Sequence, residues 1–324
     1  MEKVKIIQTA HYVPDLVVSN DDLTKLMDTS DEWIKKRTGI SRRHVSLGEN
    51  TSDLCTKVAK SLLVQSGWRA SELDLIIVAT MSPDSYTPAT AALVQGKIAA
   101  NNAFAFDVSA ACSGFAYAFE VASQFIANGR AKKAMVLGGE VLSKVVDWSD
   151  RTTAVLFGDG AGGVLLTKSD GESALLASDL QTFGQDASKL SAGVNQPLET
   201  FGVPKKREIS AFEMDGHAVY NFATREVPAS LKRACSQAEI DLSEVDYFIL
   251  HQANERIIKS IAKRLKLPLE RFPVNISEYG NTSAASEPIL LDELIKQKQI
   301  KRGQIIALTG FGGGLTVGTQ IIKY

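Results

Sequence analysis

The chain of 324 residues is 44% hydrophobic and 23% charged, ordinary values for a globular protein with core enough for one large domain or two medium ones. A formal net charge of −1 gives no overall pull toward nucleic acid or an anionic membrane, and no apolar run approaches the roughly 20 residues that span a bilayer. Three cysteines without paired spacing, Cys55, Cys112 and Cys235, argue against a disulfide framework and for a reducing, cytoplasmic setting.

Met1 to Ile7 carries charge but no apolar signal core, and reads as a first strand. An amphipathic helix is expected over Ser52 to Ser66, then a buried strand at Leu75-Ile76-Ile77-Val78. Phe104 to Ala111 reads as a strand and Ser113 to Ala127 as an apolar helix, so Cys112 falls on the turn between them. Val164-Leu165-Leu166 is a strand, Gln181 to Lys206 a loop, and Ala218 to Ser236 a second amphipathic helix. The strand Tyr247 to Leu250 ends at His251, and a helix is expected to open with Gln252-Ala253-Asn254. Asn275-Ile276 is expected to close a strand, with Glu278 to Ser283 turning into a helix over Pro288 to Gln297. The strand Ile305 to Leu308 leads into the glycine-rich run Gly310-Phe311-Gly312-Gly313-Gly314.

These elements repeat. Ser71-Glu72-Leu73-Asp74 and Ser243-Glu244-Val245-Asp246 are acidic lead-ins to strands, offset by 172 (243 − 71). Gly129 to Leu137 resembles Ile300 to Leu308 at an offset of 171 (308 − 137), and Phe157-Gly158-Asp159-Gly160 resembles Phe311 to Gly314 at 154 (311 − 157). The lost 17 positions (171 − 154) place an extra loop at about Glu140 to Val155. The chain therefore reads as two copies of one α/β unit, residues 1–170 and 171–324, with sheets covered on both faces. Adding 171 to Cys112 reaches 283, two residues from Asn281, so these polar groups should occupy equivalent corners and converge between the halves.

A thiol at a helix N-terminus meets the positive end of the dipole, which favours thiolate, although a lone cysteine is also a common core residue. Cys55 and Cys235 lack that setting and read as packing. His251 stands at the C-terminal edge of a strand, where catalytic groups gather in parallel sheets. The glycines of 310–314 can expose backbone N–H groups as an oxyanion hole or anion nest. No Lys-Ser/Thr pair follows them, so they are not a phosphate loop, and Gly158 to Gly163 precedes a strand, unlike a dinucleotide fingerprint.

Ala110-Ala111-Cys112-Ser113-Gly114, His251-Gln252-Ala253-Asn254, Gly280 to Ser286 and Gly310 to Gly314 stand in order with Asp31-Glu32-Trp33 and Arg37-Thr38-Gly39-Ile40. Together they resemble the β-ketoacyl-acyl-carrier-protein synthase III family from about Val4 to Tyr324. The resemblance implies a thiolase-like fold of two pseudo-duplicated α/β halves in five α-β-α-β-α layers. It also implies a decarboxylative condensation that starts type II fatty-acid synthesis. Cys112 would take the acyl group of an acetyl-CoA or another short or branched acyl-CoA, and N–H groups of Cys112 and Gly313 would hold the oxyanion. His251 and Asn281 would bind the thioester oxygen of malonyl-acyl carrier protein as CO₂ leaves. Elongating synthases of similar fold use Cys/His/His instead.

The same resemblance assigns Trp33 and Arg151 to the adenine of CoA, Arg37 to its phosphates, Tyr220 to the substrate tunnel and Asn254 to the pantetheine arm. Thr87 and Phe311 would line the acyl pocket, a small Thr87 leaving room for primers larger than acetyl. Gln252, Arg256, Lys259 and Lys263 would dock the carrier protein, although a run of charge is also an ordinary solvated face. A homodimer is implied, and no metal or redox cofactor. Four residues depart from the family pattern: Glu287, where an aliphatic residue is usual; Val317, where Trp is common, implying looser packing; Thr87, where a large apolar residue is frequent; and Tyr220, where Phe is usual. The alternative enzymes are a related acyl-CoA condensing enzyme of secondary metabolism, or a hydroxymethylglutaryl-CoA-type synthase, which would need a glutamate upstream of Cys112, with no convincing candidate. A silent acyl-CoA-binding or redox-sensing protein is the other class, which Glu287 keeps open.

Overall fold

Aliphatic and β-branched runs form nine strands of the two main sheets among the residues described by the computed structural model, which are 3–169, 171, 174–195, 197, 201 and 210–324. They are β1 (Val4–Tyr12), β2 (Leu75–Ala79), β3 (Phe104–Val108), β4 (Lys133–Glu140), β5 (Gly160–Lys168), β6 (Ala174–Thr182), β7 (Tyr247–Leu250), β8 (Ile305–Gly312) and β9 (Thr316–Lys323). The first sheet has the order β1-β5-β4-β2-β3 and the second β6-β9-β8-β7. In the first, β1/β5 and β5/β4 are antiparallel and β4/β2 is parallel. In the second, β6/β9 and β9/β8 are antiparallel and β8/β7 is parallel. The repeat is thus one of topology. Leu75 and Tyr247 open equivalent strands 172 apart (247 − 75), as do Lys133 and Ile305 (305 − 133).

Two differences separate the copies. Residues 141–159 connect β4 to β5, against 313–315 between β8 and β9, so the insertion is 16 residues (19 − 3), one fewer than the sequence offsets imply. The first sheet also carries β3, parallel to β2. The strand expected to end at Asn275-Ile276 is instead a helical turn, Ile276–Tyr279. The Asn275 N–H is taken by the Gln252 side chain (3.1 Å) rather than by a strand, and Gly280 at φ 65° ends the turn. Of the expected loop from Gln181 to Lys206, residues 196, 198–200 and 202–206 lie outside the described residues.

Side-chain alternation stacks the layers. The main helices are α1 (Asp31–Thr38), α2 (Thr51–Ser66), α3 (Thr90–Lys97), α4 (Gly114–Ala127), α5 (Gly216–Gln237), α6 (Glu255–Leu265) and α7 (Ser286–Lys296). Ile76 and Val78 of β2 pack outward with Leu54, Val58 and Leu62 of α2, while Leu75 and Ile77 pack inward with Phe115 and Phe119 of α4. Ile249 of β7 joins that inner layer with Leu290 and Leu294 of α7, and its neighbours Phe248 and Leu250 face Leu231 of α5 and Ile258 of α6. The order is therefore α2/α3, first sheet, α4/α7, second sheet, α5/α6, a five-layered thiolase-like sandwich. Each such aliphatic side chain, once buried, contributes roughly 1.5–3 kcal/mol. Among the described residues, no helix is long and apolar enough to cross a membrane.

Candidate active site

Each half carries a strained elbow in front of its middle-layer helix. The 3₁₀ turns Ala111–Ser113 and Ser283–Ala285 lie 172 apart (283 − 111), before α4 and α7. Each begins with a non-glycine residue in the left-handed region, Ala111 at φ 45° and Ser283 at φ 49°, a strain of order 1–3 kcal/mol each of the kind held at functional sites. By that register Ala284 is the counterpart of Cys112, and Asn281 corresponds to Ser109 (281 − 172), two residues before the turn. The halves clasp each other here through Gly138 on β4 and Gly310 on β8, again 172 apart. A Cβ on Gly138 would collide with the Ala284 carbonyl oxygen, and one on Gly310 would lie 3.0 Å from the Cys112 carbonyl oxygen. Glycine is required because each elbow lies directly on the opposite half's strand.

Between the elbows lies a cavity of about 1080 Å³ whose lining includes Cys112, His251, Asn281, Phe311 and Gly313. The run expected as a glycine loop is mostly strand, β8 continuing to Gly312, which lets Gly312 sit against the thiol. A Cβ there would be 2.8 Å from Cys112 Cβ and 3.1 Å from its Sγ. Asn281 Oδ1 accepts from the Ser283 N–H (2.8 Å), which fixes the amide rotamer. Its backbone is gripped on both sides, Asn281 N donating to Leu156 O (2.8 Å) and Gly158 N donating to Asn281 O (3.0 Å). The end of the inserted segment thus holds Asn281 in a parallel bridge with Phe157.

His251 donates its backbone N–H to Thr309 O (2.8 Å), placing the ring edge-on to Phe311 with centroids 5.2 Å apart. Its Nδ1 lies 2.6 Å from Ser286 Oγ, and Nε2 has no partner among the described residues. Burial pushes the imidazole down to about 3, so it is neutral. Burial also pushes the Cys112 thiol up to about 12, with the charges of Glu140 and Glu287 adding to this and the Ser283 hydroxyl opposing it. A helix terminus favours thiolate, but burial acts the other way here and keeps Cys112 a thiol at rest. Cys55 and Cys235 are buried packing residues, as expected.

At the mouth, the Arg37 guanidinium stacks 4.2 Å from the centroid of Trp33 and that of Arg151 lies 5.5 Å away. Lys36 and Arg256 join Trp33 and Arg37 around an adjoining cleft. Tyr220 lines the cavity, and its hydroxyl is shared with Ser260 Oγ at 2.6 Å. Asn254 also lines it, but Oδ1 caps α6 by accepting from the Arg256 N–H (2.8 Å) and Nδ2 donates to Arg37 O (3.0 Å). Because of that cap, the helix expected to open at Gln252 begins at Glu255.

Other expected contacts are not brought together. Gln252 is buried, donating to Leu250 O (2.8 Å) and accepting from the Asn275 N–H, so it is a core tie and not a docking residue. Thr87 is exposed between β2 and α3 and does not line this cavity. Arg256, Lys259 and Lys263 share the exposed face of α6, where Glu255 pairs with Lys259 at 2.6 Å. Val317 is wholly buried in the apolar layer beneath α5 and α6. Met81, Leu190, Phe212 and Met214 were missed, and His217, which beside Gly216 lacks the strand-end placement of His251, also lines the cavity; these residues come from scattered segments without a shared motif. Ser286, the partner of His251, sat unrecognised at the end of a quoted motif.

Comparison with known proteins agrees with this geometry. The family model for 3-oxoacyl-[acyl-carrier-protein] synthase III matches residues 106–184, and the model of its C-terminal part matches 235–324. The chain is 55% identical over 326 aligned residues to beta-ketoacyl-[acyl-carrier-protein] synthase III of Limosilactobacillus reuteri, covering 100% of both. It is 51% identical to that of Oenococcus oeni over 324 residues, again covering 100% of both. The solved 3-oxoacyl-[acyl-carrier-protein] synthase III of Aquifex aeolicus superposes with a TM-score of 0.92 at 43% identity, over 99% of this chain and 100% of that one. That of Pseudomonas aeruginosa gives 0.92 at 36% identity, over 99% and 98%. With its elbow cysteine, its neutral histidine and both family models matched in order, the chain belongs to the β-ketoacyl-acyl-carrier-protein synthase III family.

Proposed function

We propose that this enzyme joins an acyl-CoA primer to malonyl-acyl carrier protein, and that Cys112, His251 and Asn281 carry the two half-reactions. In the first, Cys112 sulfur bonds to the acyl carbonyl carbon, the bond to CoA sulfur breaks, and the thiol proton passes to the departing CoA. N–H groups of Cys112 and Gly313 are the candidate oxyanion donors, a role supported by the contact of Gly312 with the thiol. In the second, malonyl-acyl carrier protein loses CO₂, and the electron pair of the broken C–C bond moves toward its thioester oxygen. Nε2–H of His251 and Nδ2 of Asn281 stabilise that charge, and the resulting carbanion attacks the acyl-enzyme. The bond from the acyl carbon to Cys112 sulfur breaks, the sulfur takes up a proton from solvent, and the products are 3-oxoacyl carrier protein and the free Cys112 thiol. No step calls for a metal or redox group.

The observation that carries this reading is a buried, neutral imidazole with one free nitrogen in the same cavity as an elbow thiol. Trp33, Arg37 and Arg151 suit the adenine and phosphates of CoA through stacking and charge. Tyr220 and Asn254 suit the pantetheine arm, and Phe311 the acyl pocket. The exposed cations Arg256, Lys259 and Lys263 suit an acidic carrier protein. A cytoplasmic homodimer is part of the proposal, supported by β3 ending its sheet with Phe104 36% exposed.

Intact-mass measurement after incubation with acetyl-, isobutyryl- and longer acyl-CoA tests it. The expected result is an acyl adduct, lost in Cys112→Ala, that converts to 3-oxoacyl carrier protein when malonyl-acyl carrier protein is added. An adduct without that conversion favours a binding protein, and no adduct with any primer refutes the assignment.

A further inference from the structure

Glu287 sits where the first half of the chain has a wholly buried phenylalanine, Phe115 (287 − 172), and is itself only 1% exposed. Among the described residues its Oε1 has no hydrogen-bond partner, and it abuts Gly310 so closely that a Cβ there would collide with it. Among the described residues no lysine or arginine pairs with it, and burial pushes its carboxyl up to about 8. The titratable groups around it are Cys112 on the elbow and His251 after β7, with Glu140 beyond them at the end of β4. On its own helix, Asp292 is tied to His11 and Lys296 instead.

Its other oxygen meets the site through Ser286. Ser286 Oγ is 3.1 Å from Glu287 Oε2, 2.6 Å from His251 Nδ1 and 2.9 Å from Ser283 O. A hydroxyl has one proton to give, and at 2.6 Å its oxygen and Nδ1 need one proton between them. We propose that Glu287 is a positioning residue whose proton selects the tautomer of His251 through Ser286. As a neutral acid, Glu287 donates to Ser286 Oγ, Ser286 donates to Nδ1, and the imidazole proton lies on Nε2, facing the cavity. As a carboxylate, Glu287 accepts the Ser286 proton. Nδ1–H must then donate to Ser286 Oγ, and Nε2 is left a bare acceptor that cannot stabilise an enolate oxygen. Ser283 O is not orphaned in the first state, because the Ser286 backbone N–H also donates to it. The inference rests on the donor role given to His251 above.

The test is ¹⁵N-imidazole NMR of the full-length enzyme across about pH 6 to 10, with His251 identified among the four histidines by its loss in His251→Ala. The expected result is Nε2–H below the transition and Nδ1–H above it, while Glu287→Gln holds one tautomer throughout. CO₂ release from malonyl-acyl carrier protein by Cys112→Ala enzyme, free of thiol titration, should fall roughly tenfold per pH unit above about 8, and not when Glu287→Gln is added. One His251 tautomer over the whole range in the unaltered chain overturns the proposal, even if the Gln variant fails to fold. So does a switch that survives in Glu287→Gln. No CO₂ at any pH with the tautomer switch intact supports the relay and refutes the decarboxylation reading.

Discussion

Replacing Glu287 with Gln should make the protein less sensitive to alkali in its stability, separately from any effect on turnover. The carboxyl is pushed from 4.5 up to about 8 by desolvation, so between these values the native state keeps a proton that the unfolded state has lost. Stability from this group is therefore fully present below about 4.5 and is lost as pH rises through about 8. At about 1.4 kcal/mol per unit over some 3.5 units (8 − 4.5), the loss is at most about 5 kcal/mol. His251 works in the opposite direction. Its value is depressed from 6.5 to about 3, so its contribution is present above 6.5 and lost as pH falls toward 3. Denaturant unfolding at about pH 5, 6.5 and 8 checks the first effect. The gap between Glu287→Gln and the unaltered chain should be small at pH 5, where an amide replaces a neutral acid of similar shape, and should widen by several kcal/mol in favour of the variant at pH 8. A gap that stays constant within about 1 kcal/mol would mean that Glu287 titrates normally and that the burial argument is wrong.

Gly312→Ala would press a methyl against Cys112, 2.8 Å from its Cβ, and should slow acyl-adduct formation on the order of 100-fold by displacing the sulfur, as followed by intact mass. Trp33→Ala removes the ring on which Arg37 stacks and near which Arg151 lies. It should raise KM for acyl-CoA about tenfold with kcat little changed, the signature of lost uniform binding. Asn281→Ala should cut malonyl decarboxylation roughly 100- to 1000-fold while leaving the acyl adduct measurable. Lys259→Glu with Lys263→Glu should raise KM for the carrier protein and flatten its salt dependence, leaving acylation by acyl-CoA unchanged.

The fold was legible wherever burial made the code local. Ile76 and Ile77 face opposite layers, so both must be apolar, and the same is true of Phe248 and Ile249. That doubled pattern gave the repeat, and the repeat led to within two residues of Asn281. What failed depended on neighbours distant in sequence. Gln252 looked like a surface residue beside a basic helix, yet its carboxamide joins Leu250 and Asn275 in the core. Asn275-Ile276 reads as the end of a strand, yet Ile276 opens a helical turn, Ile276–Tyr279, because the Asn275 N–H is held by the distant Gln252 side chain. Cys112 has the helix terminus that lowers a thiol, but the second half of the chain closes over it and reverses the sign. Glu287 could be flagged as out of place from the sequence, whereas its route to His251 needed the position of Ser286.

The helices α4 and α7 form one layer between the sheets, with Phe115 and Phe119 of one half sharing a cluster with Leu290, Leu294 and Ile306 of the other. Each half therefore finishes its own apolar interior only on the other. A nick between Lys168 and Ala174 should give fragments that assemble as a pair and collapse singly, with one unfolding transition for both. The duplicated pattern describes two units of architecture within a single unit of cooperativity. Since the elbow thiol and its two partners come from opposite halves, any loosening strong enough to part the halves would disassemble the catalytic set at the same time.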